Sequence, residues 1–152
     1  METLHIQHES ELGIVVEKTL ELLDEKKHKG QASVLVLTGD LGAGKTTFTK
    51  LLGRELGVEE EIASPTFVIM KRYRLDTDTQ TTASFVQFVH IDAYRVEDID
   101  EMRPLRFAEV LQESDTLICI EWGEKIKELL PPHTLTLDIE ITSEASRTIT
   151  FS

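Results

Sequence analysis

A chain of 152 residues, 40% of them hydrophobic, is large enough to close one core without staples, and residues 1–152 read as a single domain. Twenty-eight Asp and Glu against sixteen Lys and Arg leave a formal charge of −12, which repels phosphate backbones at long range and argues against autonomous nucleic-acid binding. The lone Cys119 leaves no disulfide or zinc framework, and neither a leader at Met1 to Ser10 nor a membrane-length apolar stretch is legible, so the expectation is a cytoplasmic protein without membrane contact.

In chain order, Leu4 and Ile6 alternate as in a short edge strand, and Ser10 is suited to cap the helix that follows. Leu12, Val15, Val16, Leu20 and Leu23 form its apolar stripe, which runs out in the polar, lysine-rich exit Asp24 to Gly30. Val34 to Thr38 is a β-branched-rich run, the mark of a buried strand. Phe48, Leu51, Leu52 and Leu56 then recur at helical spacing until Gly57. Phe67 to Met70 and Phe85 to Val89 read as strands of a hairpin joined by the polar loop Asp76 to Ala83. Glu101 to Glu113 has weaker helical character, with Pro104 in its first turn. Thr116 to Ile120 is another buried strand, Glu124 to Leu130 a short helix closed by Pro131 and Pro132, and Leu135 to Ile141 and Thr148 to Phe151 are the last strands.

Between the strand at 34–38 and the helix after it lies Gly39-Asp40-Leu41-Gly42-Ala43-Gly44-Lys45-Thr46, which fits the pattern G-x-x-x-x-G-K-(S/T). Glycines let successive backbone N–H groups turn toward phosphate oxygens, Lys45 supplies a cation, and the Thr46 hydroxyl can ligate Mg²⁺. Strand, loop and helix together predict a three-layer α/β domain of the P-loop NTPase type, its central sheet mixed but mainly parallel, with an antiparallel extension. Ligands of such sheets gather at the carboxyl ends of the parallel strands, where both Thr38 and Glu121 fall.

Glu121 directly follows the 116–120 run, where P-loop proteins place an acidic group that orients Mg²⁺ or an attacking water. Trp122 beside it either packs near the nucleotide or plugs the core. Alternation puts His90, Asp92 and Tyr94 on one face of an extended segment. Asp92 could act on the attacking water or hold the metal's water shell, with His90 orienting Asp92 and Arg95 clamping a carboxylate or phosphate. A purely structural His–Asp–Arg cluster at a sheet edge accounts for the same residues. Ser64-Pro65-Thr66-Phe67 occupies the place of a segment that senses the terminal phosphate, or is simply a turn into a strand.

The four blocks Gly39 to Thr47, Ser64 to Phe67, His90-Ile91-Asp92-Ala93-Tyr94-Arg95 and Glu121-Trp122, in this order and spacing over nearly the whole chain, resemble the TsaE (YjeE) family. That resemblance implies a small bacterial P-loop ATPase supporting formation of threonylcarbamoyladenosine at position 37 of tRNAs that read codons beginning with adenosine. It implies ATP and Mg²⁺ as ligands, with Gly42, Ala43, Gly44, Lys45, Thr46 and Thr47 on the nucleotide and Thr46 and Glu121 around the metal. Asp92 would be needed for hydrolysis, Ser64, Pro65, Thr66 and Phe67 would be switch-like, and Trp122 and Arg147 would lie near the nucleotide. Partner proteins TsaB and TsaD are implied, with tRNA reached only through their complex. Two positions depart from the family pattern: Gly123 stands where many members have proline, and Arg106 where glycine is frequent.

Two other functions use the same residues. A small-metabolite kinase would employ Asp92 as base toward a substrate hydroxyl, although only Lys125 and Lys127 precede Pro131 where a cationic lid would form. A nucleotide-controlled binding module would need occupancy of the loop but no turnover. ATP in preference to GTP rests on the family likeness, since the guanine-reading sequence N-K-x-D is absent.

Overall fold

The computed structural model describes residues 1–40, 42–63, 65, 67–76 and 85–152. Leu41, Ser64, Thr66 and all but the first residue of the Asp76 to Ala83 loop lie outside the described residues.

Seven strands form one sheet: β1 (Glu2–Ile6), β2 (Ser33–Gly39), β3 (Met70–Arg74), β4 (Gln87–Asp92), β5 (Thr116–Glu121), β6 (Leu135–Ile141) and β7 (Arg147–Phe151), in the spatial order β1-β7-β6-β2-β5-β4-β3. The pairs β6·β2, β2·β5 and β5·β4 are parallel, whereas β1·β7, β7·β6 and β4·β3 are antiparallel. The sheet is therefore parallel at its centre and extended antiparallel at both ends, as the composition of its strands predicts. Strands buried on both faces need apolar side chains at successive positions, and β2 and β5 have them.

Alternation divides those side chains between two layers. Leu35, Leu37, Leu117, Cys119 and Phe88 meet α1 (Leu12–Glu25) and α2 (Lys45–Leu56). Val34, Val36, Val89, Ile91, Ile118 and Ile120 face the short segments on the other side, among them Met102, Phe107, Val110 and Ile126. Phe48 and Leu52 of α2 are fully buried against the first layer, and truncating such a side chain to alanine costs about 2–5 kcal/mol.

Local structure departs from expectation in several places. Ser10 is not the helix cap; it lies inside a 3₁₀ turn, Glu9–Glu11, and the Glu11 carboxylate accepts the Gln7 and His8 N–H groups at 3.0 Å each. Phe67 to Ile69 form a turn, so the strand begins only at Met70. Its partner runs from Gln87 to Asp92 rather than from 85 to 89, because backbone pairing with β5 continues to the register pair Asp92 and Glu121. The 101–113 region is a 3₁₀ turn, Ile99–Met102, followed by a one-turn helix α3 (Phe107–Val110), with Pro104 between them. Gly123–Leu129 is 3₁₀ rather than α-helical and is kinked at Ile126. None of the described helices is long and apolar enough to cross a membrane.

Candidate functional site

The chain leaves β2 into α2 on one face of the sheet and leaves β5 into the Gly123–Leu129 segment on the other. Adjacent parallel strands whose continuations diverge open a crevice at their carboxyl ends, and ligands of α/β sheets bind there. Gly39 ends β2, Glu121 ends β5 and Asp92 ends β4, so glycine loop and both carboxylates meet at that crevice.

The loop's conformation depends on its glycines. Gly42 and Gly44 have φ of 83° and 111°, a region other residues enter only with strain. A Cβ built on either glycine would meet nothing within 4 Å, so the space in front of the loop is open. The loop hands over directly to α2, and the N-terminus of a helix, where N–H groups lack intrahelical partners, favours anions.

Lys45, 7% exposed, donates from Nζ to the Gly39 carbonyl at 2.6 Å, and its ammonium sits 4.4 Å from the centroid of the Trp122 ring. The Thr46 hydroxyl is 3.4 Å from Glu121 Oε1, and Glu121 Oε2 is 2.8 Å from His90 Nε2. Asp92 and Glu121 are register partners on neighbouring strands and both are nearly buried. Asp92 Oδ1 accepts the Tyr94 N–H at 3.0 Å, which shapes the turn leaving β4. Arg147 donates from Nε to the Ala43 carbonyl at 3.0 Å, and its Nη1 reaches the backbone carbonyls of Ser143, Glu144 and Ser146. It thus braces the glycine loop from the start of β7.

The crevice accordingly unites Gly42 to Thr46, Asp92, Glu121 and Trp122. Trp122 rests half-buried on the second layer, as the core expectation had it, and its ring faces Lys45. His90 and Asp92 share a face, but Tyr94 does not join them: it lies past the strand end, about half exposed, against Trp122 at 5.1 Å between ring centroids. His90 reaches Glu121, not Asp92. Arg95 is exposed, its guanidinium 4.6 Å above the ring of Phe67. Phe67 is 85% exposed, and Pro65 accepts the Ile69 N–H through its carbonyl. Ser64 and Thr66 lie outside the described residues. Two non-glycine residues with positive φ, Ile69 at 68° and Trp122 at 61°, adjoin the two carboxylates, and such conformations persist where surrounding structure enforces them.

Sequence reasoning gave the segment before α1 a strand and a cap but no place at the site, yet it borders one side of it. A cleft of about 260 Å³ beside the loop is bordered by His8, Glu9, Gly44, Thr47, Glu144 and Arg147. The cause is the pairing of Ile6 with Arg147 between β1 and β7, which brings both chain ends to the loop. No periodicity announces it, because the contact is made across more than a hundred residues. A wider opening of about 760 Å³, bordered by Arg72, Arg74, Glu113 and Asp115, lies at the opposite edge of the sheet.

Among the described residues no three His, Cys, Asp or Glu side chains converge on a metal position. A magnesium ion carried by phosphates needs few protein ligands and keeps several waters, so one hydroxyl and one carboxylate, Thr46 and Glu121, suit that mode of binding.

Residues 8–149 match the family described as "Threonylcarbamoyl adenosine biosynthesis protein TsaE". The chain is 33% identical over 120 residues to the tRNA threonylcarbamoyladenosine biosynthesis protein TsaE of Treponema pallidum, spanning 79% of this chain and 82% of that one. It is 38% identical over 119 residues to the protein of the same name from Bacillus subtilis, spanning 78% of this chain and 68% of that one. The crystal structure of Bacillus subtilis YdiB is similar in fold, with a TM-score of 0.68 and 27% identity over 99% of this chain and 83% of that chain. With its mixed sheet and glycine loop matched along nearly its whole length, the chain belongs to the TsaE family of tRNA threonylcarbamoyladenosine biosynthesis.

Proposed function

We propose that this protein is a magnesium-dependent ATP hydrolase whose turnover supports the threonylcarbamoyladenosine machinery through the partners TsaB and TsaD. The observation that carries the reading is the convergence of Lys45, Thr46, Asp92 and Glu121 at the carboxyl ends of three neighbouring strands, in front of an open glycine loop.

Each residue then has a definite task. Backbone N–H groups from Gly42 to Thr47 cradle the β- and γ-phosphates, and Lys45 turns its ammonium from the Gly39 carbonyl toward them. Thr46 and Glu121 hold the metal, which when bound neutralises charge developing on the phosphate oxygens. Asp92 positions the attacking water and accepts its proton, while the hydrogen bond it accepts from the Tyr94 N–H keeps the carboxylate in place. Arg147 stiffens the loop through Ala43 rather than touching phosphate, and the nucleoside end falls to the cleft beside Thr47 and His8. The exposed Phe67, with Arg95 stacked on it, belongs to the segment that responds to the terminal phosphate.

A site whose transition-state charge is completed by a partner turns over slowly alone. Phosphate release measured with and without TsaB and TsaD tests this: stimulation by the pair is expected, and partner-independent phosphorylation of a metabolite would replace the reading with a kinase. The hydrogen bond from the Tyr94 N–H to Asp92 also favours a second reading, in which Asp92 is structural and nucleotide occupancy alone controls docking. If Asp92→Asn keeps ATP binding, docking and multiple-turnover tRNA modification, that binding-module reading prevails.

A further inference from the structure

His90 is fully buried on β4, on the sheet face it shares with Phe88 and Asp92. Its Nε2 lies 2.8 Å from Glu121 Oε2, while its Nδ1 has no hydrogen-bond partner among the described residues. An unpaired buried ring nitrogen costs free energy, and leucine or valine at this position would fill the layer without that cost. What an apolar side chain could not do is hold Glu121. The carboxylate is divided between two neighbours, Oε1 toward the Thr46 hydroxyl at 3.4 Å and Oε2 toward the imidazole. As a carboxylate Glu121 only accepts hydrogen bonds, which puts the ring proton on Nε2 and leaves Nδ1 as a lone pair, the less costly atom to leave unpaired.

We infer that His90 is a positioning residue that, through Nε2–H, fixes the Glu121 carboxylate with one oxygen turned to Thr46 and so sets the affinity of the site for magnesium with nucleotide. The inference rests on the proposed assignment of Thr46 and Glu121 to the metal. Hydrogen bonds behind a ligating carboxylate fix its orientation, and their loss typically lowers metal affinity by about 10–100-fold.

Two substitutions separate this role from packing. In His90→Gln the amide nitrogen falls near the place of Nε2 and keeps the donor; in His90→Asn the amide is too short to reach Glu121. Affinity for a nonhydrolysable ATP analogue is measured by calorimetry with Mg²⁺ and again with EDTA. The expected result is that His90→Asn loses about tenfold or more of the magnesium-dependent gain, with affinity in EDTA held within about twofold, and that His90→Gln recovers most of it. In a Glu121→Gln background, His90→Asn should add less than about twofold, because the two residues act as one unit. Equal losses with and without magnesium, an undiminished effect in Glu121→Gln, or a His90→Gln as impaired as His90→Asn each overturn the inference.

A wild-type protein whose nucleotide affinity ignores magnesium sinks the functional reading instead, before any variant is compared. If His90→Asn fails to fold, nitrogen-15 spectra of wild type and Glu121→Gln carry the test. A protonated Nε2 whose resonance moves in Glu121→Gln supports the inference, and a ring protonated at Nδ1 alone, or indifferent to Glu121→Gln, overturns it.

Discussion

Arg106 and Gly123, the two residues expected to depart from the family pattern, occupy contrasting environments: a strained backbone position and a crowded one. Arg106 precedes α3 with φ 57° and ψ 41°, a left-handed conformation that favours glycine and costs a side-chain-bearing residue about 1–2 kcal/mol. Arg106→Gly removes that strain but adds freedom to the unfolded chain, so a stability change between zero and a gain of about 1 kcal/mol is expected in urea unfolding. A clear loss would mean that the Arg106 side chain contributes contacts outweighing its backbone cost. Gly123 stands against Val36, and a Cβ there would come within 2.7 Å of Val36 Cγ1. Valine is stiff about χ1 and cannot swing aside easily. Gly123→Ala should therefore destabilise by about 1–3 kcal/mol, the usual cost of overpacking, and Gly123→Ala with Val36→Ala should recover part of it. Recovery measured by thermal or urea denaturation would tie the glycine to this valine.

Elements with a strong repeat were legible in the sequence, and those held by distant partners were not. Val34 to Thr38 and Thr116 to Ile120 read as strands because both faces of a central parallel strand are buried, and α1 and α2 read as helices because one stripe of each meets the sheet. The glycine loop was legible because its backbone angles, φ of 83° at Gly42 and 111° at Gly44, are ones that glycine takes without strain. Phe67 to Ile69 misled, because apolar residues in an exposed turn carry the composition of a strand without its burial; Phe67 and Val68 are 85% and 61% exposed. The His90–Glu121 contact and the border formed by His8 and Glu144 depend on register between strands far apart in sequence, which spacing does not encode. One element-scale consequence concerns Cys119 on β5, whose thiol is pushed well up from its ordinary range by burial first and by the nearby Glu121 charge second, with a weaker opposing contribution from its contact with Thr49. A thiol held neutral and inside the sheet reacts only when the strand opens. Labelling of native protein by a thiol reagent at pH 8 should be slow and should rise with denaturant in step with unfolding; rapid labelling of the native state would mean that β5 is not closed.

For the molecule as a whole, the proposed function requires a chain of formal charge −12 to admit a ligand carrying several negative charges of its own. Long-range repulsion is screened within about 8–10 Å at physiological salt, so binding depends on local groups rather than on net charge. Here the local groups are the α2 N-terminus, the glycine-loop N–H groups and Lys45, whose ammonium makes a contact with its own loop that phosphate oxygens can replace. Lys45→Ala should weaken triphosphate binding by about tenfold or more, the worth of a hydrogen bond to a charged group being about 1.5–3 kcal/mol. The most direct test of the whole account is calorimetric titration of ATP with Mg²⁺ into folded wild-type protein and into Lys45→Ala. Saturable one-site binding by the wild type, weakened in the variant, is predicted. No heat and no saturation at millimolar ligand, from wild-type protein shown to be folded, would contradict it.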